Sequence, residues 1–132
     1  MKLLAKLLAT LSLWAGGVPN QDILYAIRMV ECSDVEHPPD GDGGNAIGHY
    51  QIWEAYWLDA TEFSGIGGTY QDCRSRQYAE RIVEAYMKRY CPDAWESGDA
   101  ERISRVHNGG PKGHKKKEQN SLPQEQNLGH RG

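Results

Sequence analysis

Glu31 and Asp42, eleven positions apart, are the residues of this chain best suited to proton chemistry. Glu31 ends an apolar helical pattern, "NQDILYAIRMVE", and Asp42 sits inside a glycine turn, "GDGGN". Cleaving a glycosidic bond needs one carboxyl group that stays protonated, to donate to the leaving oxygen. It needs a second that stays charged, to attack or steady the oxocarbenium-like centre. Surroundings must hold the two apart in acidity. A glutamate leaving an apolar helix beside tryptophans is poorly solvated, and the negative end of the helix dipole opposes its charge as well. An aspartate in an open glycine turn keeps its water and its charge. Spacing alone does not single out this pair, because the chain has 18 acidic residues and most such side chains are solvated surface charges.

A dense aromatic run, "HYQIWEAYW", follows the turn. Glycines let backbone approach a ligand closely, and Tyr50, Trp53 and Trp57 carry flat faces that match the apolar face of a pyranose. Packing in the core is the alternative for all three, with equal weight for Trp57. His107, before "NGGP", could orient a substrate, although a histidine in such a place more often binds carbonyls at its helix end. "DGDGGN" looks like a calcium loop and fails as one: its glycine is out of register, and Gln51 stands where a bidentate glutamate would close the site. The five histidines include no pair at zinc-helix spacing. Neither a metal nor a cofactor is expected.

Helices must position these groups. Asn20 is a plausible N-cap for a helix with Ile23, Leu24, Ile27 and Val30 on one face, ending near Glu31. "CSDVEHPPDGDGG" then breaks it, and a loop or small hairpin belongs there. "YQIWEAYWLDATEF" predicts a second helix with an aromatic face, Ile52, Tyr56 and Phe63 among Trp53, Trp57 and Leu58, closed by "GIGG". "TYQDCRSRQYAERIVEAYMKRY" carries Tyr78, Ile82, Tyr86 and Tyr90 at steps of four, with Val83 and Met87 beside them, and is the strongest helical pattern. Pro92 follows its end, and Asp99 caps a short helix that stops at a glycine pair.

The blocks "VECSD", "GDGGNAIGHYQIWEAYWLDA", "YAERIVEAYMKRY" and "RISRVHNGGPKG", in that order, resemble the invertebrate-type lysozymes, also called the destabilase family. The likeness runs from Ile23 to about Gly113. It implies an α+β, lysozyme-like fold, mainly helical with a small β element beside the active-site cleft. It also implies cleavage of the β-1,4 bond between N-acetylmuramic acid and N-acetylglucosamine in peptidoglycan or a related amino-sugar glycan. Position by position, the family's catalytic glutamate falls on Glu31 and its aspartate on Asp42, with Asp40 close enough to be confused with it. Cleft residues fall on Tyr50, Gln51, His107 and Asn108, and Trp57 is added as an aromatic wall. The chain departs from the pattern in its few cysteines, in Cys32 where a serine usually follows the glutamate, and in His49 where a proline usually follows the glycine.

The whole composition agrees with one enzyme-sized unit. A chain of 132 residues suits a single domain with a real core, and a formal net charge of −3 carries no basic field for nucleic acid. Cys32, Cys73 and Cys91 allow at most one bridge. "MKLLAKLLATLSLWAGG" reads as a signal peptide over residues 1–17, or else as an amphipathic helix, and nothing later is long and apolar enough to span a bilayer. From Lys112 the chain is almost devoid of apolar residues, so a catalytic domain of residues 18–113 and a disordered polar tail of residues 114–132 are expected. A monomer in a secreted or periplasmic setting is expected. Two other functions compete: a catalytically silent wall-binding module with the same aromatic cleft, and an isopeptidase acting on Gln-Lys crosslinks.

Overall fold

The computed structural model describes residues 18–111, so the expected leader and polar tail lie outside the described residues. Among the described residues five α-helices follow one another: α1 (Gln21–Cys32), α2 (Glu54–Ser64), α3 (Arg76–Tyr90), α4 (Pro92–Ser97) and α5 (Ala100–Gly109). Short 3-10 turns stand at Asp42–Gly44 and Tyr70–Arg74. The mainly helical expectation holds. The small β element does not form as a sheet: two isolated antiparallel bridges, Gly41 with Ala46 and Ile47 with Ile52, stand in its place. Each is a single ring of two backbone hydrogen bonds, 2.8 and 3.1 Å for the first and 2.9 and 3.1 Å for the second. Left-handed residues at Gly43, Gly44 and Gly48 turn the chain back before a further rung can form.

α3 is the centre of the core. Its predicted stripe is buried at Ile82, Val83, Tyr86 and Met87, joined by Ala79 and Ala85, while Tyr78 and Tyr90 flank it half-buried. α2 packs along α3, and α4 and α5 close its other side. Gly65 ends α2 in the left-handed conformation, as the "GIGG" stretch suggests, and the Asp99 side chain accepts from the Arg102 N–H to cap α5. Pro92, read as a terminator, is also the first residue of α4, where its missing N–H costs nothing.

Three sequence expectations are corrected. Asn20 does not cap α1 with its side chain; its backbone is left-handed and its amide donates to the Trp95 carbonyl at 2.8 Å, fastening the start of α1 to α4. Val30, placed on the inner face, is 80% exposed, because the inner face of α1 runs through Leu24, Ile27 and Arg28. Leu58 and Phe63 on α2 are also exposed; Ala60 is the buried residue there.

A charged residue in the core is the feature that periodicity misses. Arg28 is 5% exposed, and its guanidinium donates to Asp34 at 2.8 Å, to the Tyr50 hydroxyl at 2.7 Å and to Glu80 at 3.2 Å. The Tyr50 hydroxyl in turn donates to Glu80 at 3.1 Å. Helices α1 and α3 and the loop between α1 and α2 thus meet at one buried polar cluster. Removing one member leaves a buried partner unpaired, which costs far more than losing an exposed pair. Arg28→Ala is expected to cost about 3–5 kcal/mol in urea unfolding, against under about 0.5 kcal/mol for Lys88→Ala, which breaks the exposed pair with Glu84.

Candidate active site

A pocket of about 200 Å³ opens where the end of α1, the glycine turn and the end of α5 converge. Glu31 and Asp42 both line it, together with Gln51, His107 and Asn108. Gly41 and Trp53 complete the wall. Five of the seven expected site residues are therefore brought together.

Glu31 occupies the last turn of α1, half-buried, and its carboxyl group is pushed above the usual glutamate range, first by burial and then by the charge of Asp42. Asp42 opens the first 3-10 turn with a φ of 49°, a left-handed position that a short polar side chain tolerates. The Trp53 indole N–H donates to Asp42 Oδ2 at 3.2 Å. Trp53 precedes α2 in extended conformation and remains 47% exposed, so its ring stands in the pocket wall and not in the core.

Gln51 is also left-handed, with a φ of 48°. Its side-chain amide donates to the carbonyls of Gly48 at 2.9 Å and Pro39 at 3.2 Å, which ties both ends of the glycine turn together. Space at Gly41 is what admits it: a Cβ there would lie 2.2 Å from Gln51 Oε1. His107 is 9% exposed, with Nε2 2.8 Å from the Tyr50 carbonyl oxygen and Nδ1 3.0 Å from the Tyr56 hydroxyl. Burial lowers its pKa to about 4, partly opposed by the bond to Tyr50.

Two expected residues stand elsewhere. Tyr50 is wholly buried, with its hydroxyl taken by Arg28 and Glu80, so its ring offers no face to a ligand. Trp57 turns inward along α2, donates to the Tyr78 hydroxyl at 2.9 Å and leans on Tyr70. The aromatic on the pocket wall is Trp53 instead, the extended residue just before α2. Asp40 is occupied by two bonds from Arg74, at 2.6 and 3.0 Å, which hold its carboxyl below the usual range. Cys32 Sγ lies 3.5 Å from the His49 carbonyl oxygen, and neither residue lines the pocket.

A larger cavity, about 580 Å³, lies between Pro19 and Asn20 on one side and α4 on the other. Its acids are Asp93, paired with Arg102 at 2.6 Å, and Glu96, and none of the expected site residues lines it. The smaller pocket is the one that gathers the candidate residues.

The family model described as Destabilase matches residues 24–128. The chain belongs to the Destabilase family. A lysozyme from Meretrix lusoria is 38% identical over 106 residues, covering 78% of this chain and 84% of that protein. Lysozyme 1 from Crassostrea virginica is 39% identical over 100 residues, 74% of this chain, which spans 52% of that relative's length. An invertebrate-type lysozyme from Ruditapes philippinarum is 32% identical over 104 residues, 76% of this chain and 74% of that one. A chain in the crystal structure of Aeromonas hydrophila PliI in complex with Meretrix lusoria lysozyme superposes with a TM-score of 0.59. It is 34% identical and covers 72% of this chain and 77% of that one. The destabilase resemblance read from the motif blocks is confirmed.

The glycines give the site's geometry a direct check. Gly41→Ala meets only the end of the Gln51 side chain at a φ of −98°, so it should cost no more than about 1–2 kcal/mol while displacing the Gln51 amide. Gly48→Ala meets the Cys73 carbonyl oxygen at 2.1 Å with a φ of 74°, which no rotamer relieves. It should cost about 3 kcal/mol or more. Urea unfolding of both variants, with the Gln51 side-chain amide signals followed by NMR, separates the two outcomes.

Proposed function

We propose that this chain is a lysozyme that hydrolyses the β-1,4 bond between N-acetylmuramic acid and N-acetylglucosamine in peptidoglycan, with Glu31 as general acid and Asp42 as nucleophile or electrostatic stabiliser. The observation that carries the reading is the shared pocket of Glu31 and Asp42, in which burial and the neighbouring charge both favour the protonated form of Glu31. The family and the relatives' names agree with it.

Glu31 donates its proton to the glycosidic oxygen as the bond to the anomeric carbon breaks. Asp42 attacks that carbon or stands against its positive charge, and water, deprotonated by Glu31, completes hydrolysis. Trp53 holds Asp42 Oδ2, and the other carboxylate oxygen is assigned to the sugar. The exposed Trp53 ring provides the flat apolar face that a pyranose stacks on, and the Asn108 side chain, exposed at the rim, offers an amide to ring substituents. Among the described residues no helix is long and apolar enough to cross a membrane. Export as a monomer to act on walls outside the producing cell completes the proposal.

Glu31→Gln is expected to lower the rate of wall clearing by about 10²–10⁴-fold in a turbidity assay while the protein still binds wall fragments; clearing at the wild-type rate defeats the assignment. Because the folded pKa of Glu31 is raised, folding favours its protonated form. Stability therefore falls as pH rises from the unfolded pKa through the folded one. Glu31→Gln should accordingly be more stable than wild type at neutral pH, an advantage that vanishes under acid conditions. Asp42→Asn removes the neighbouring charge that raises Glu31. Whatever residual activity it keeps should lose its alkaline limb at a lower pH than wild type, as read from the pH dependence of kcat.

A further inference from the structure

His107 is the one histidine on the pocket, and both of its ring nitrogens already have partners within the protein. A carbonyl oxygen can only accept, so the 2.8 Å contact with the Tyr50 carbonyl places a proton on Nε2. The Tyr56 hydroxyl, 3.0 Å from Nδ1, then donates into the lone pair of a neutral ring. Tyr56 is itself fixed, stacked on Tyr86 with ring centroids 3.7 Å apart and planes within 10°.

The bond to Tyr50 acts on a short, strained piece of chain. Tyr50 is held at its hydroxyl by Arg28 and Glu80 and at its carbonyl by His107, so it is gripped at both ends. The next residue, Gln51, is left-handed and clasps the glycine turn through Pro39 and Gly48. Two residues further, Trp53 holds Asp42. We infer that His107 is a positioning residue, locked as the neutral Nε2–H tautomer. It reaches Asp42 through the Tyr50 carbonyl, Gln51 and Trp53, and serves neither as a general base nor as a hydrogen-bonding partner of the substrate. The inference rests on the lysozyme reading for its kinetic consequence, not for the tautomer.

The experiment combines ring nitrogen NMR of the wild-type protein with two substitutions. The wild-type spectrum should show one protonated and one unprotonated ring nitrogen for His107, with the proton on Nε2; a proton on Nδ1, or rapid exchange between the two, overturns the inference. His107→Gln keeps an N–H donor at nearly the same reach, and His107→Phe fills the space with no donor. On a soluble peptidoglycan oligosaccharide, His107→Phe should lower kcat by about 10²-fold through misplacement of Asp42, with KM within about threefold, and His107→Gln should restore most of kcat. Equal loss in both variants, or a loss carried mainly by KM, overturns the inference in favour of direct action on substrate. So does release of lysine from a γ-glutamyl-lysine substrate by wild type that is abolished in His107→Gln. A wild-type protein that clears no wall defeats the lysozyme reading instead, and the tautomer assignment is still tested by the spectrum.

Discussion

The cluster of Arg28, Tyr50 and Glu80 is the contact on which the rest of the molecule depends. A guanidinium taken out of water is tolerable only when its donors are matched, and here a phenol and two carboxylates match them. The same cluster settles three placements at once. It holds α1, and so the height at which Glu31 leaves the helix; it holds Tyr50, and so the loop that carries Gln51 and Trp53. It also holds both against α3, the central helix, through Glu80. An apolar core of the same volume would pack α1 against α3 without specifying the loop, because oil-like contacts have no direction.

The loop between α1 and α2 does in irregular backbone what a sheet would do elsewhere. Two lone bridges, three left-handed glycines and two left-handed polar residues, Asp42 and Gln51, make a tight knot. Such conformations are costly unless their surroundings over-determine them, and here side-chain bonds from Gln51, Trp53 and His107 supply that restraint. Asp42, the proposed nucleophile or stabiliser, sits on the knot, and Glu31, the proposed acid, sits on a regular helix beside it. Burial that would suit Glu31 to the proposed acid role works against folding at neutral pH, since it opposes the charged form there.

Much of this was legible in the chain. The stripe of α3, the capped α5 and the glycine stop of α2 follow from local chemistry that depends on a few neighbouring residues. Glu31 and Asp42 could be nominated from their own segments, an apolar helix end and a glycine turn, but it was the family resemblance that raised them above the other acids. Tyr50 could not be placed this way: its partners are 22 and 30 positions distant, and an aromatic with a polar tip looks the same on a cleft wall and in a core. Trp53 and Trp57 stand four positions apart and look alike in the chain; the Tyr78 hydroxyl that takes the Trp57 indole, while Trp53 stays 47% exposed, lies 21 positions further on. Arg28 was invisible to periodicity because its inward position requires Glu80 on a helix 52 positions away. His107 was named from the chain and does line the pocket, yet its two partners, which decide what it can do, lie more than fifty positions upstream.

The thiols carry one more consequence. Cys32, Cys73 and Cys91 are all unpaired; Cys73 and Cys91 are fully buried, and burial pushes the Cys73 thiol up to about 12. Thiolate is the species that oxidants and disulfides react with, so these two sulfurs behave as small pieces of hydrocarbon and not as redox centres. Architecture held by packing and a matched guanidinium owes nothing to crosslinks. The fold of the described residues should therefore be the same in reducing and in oxidising solution.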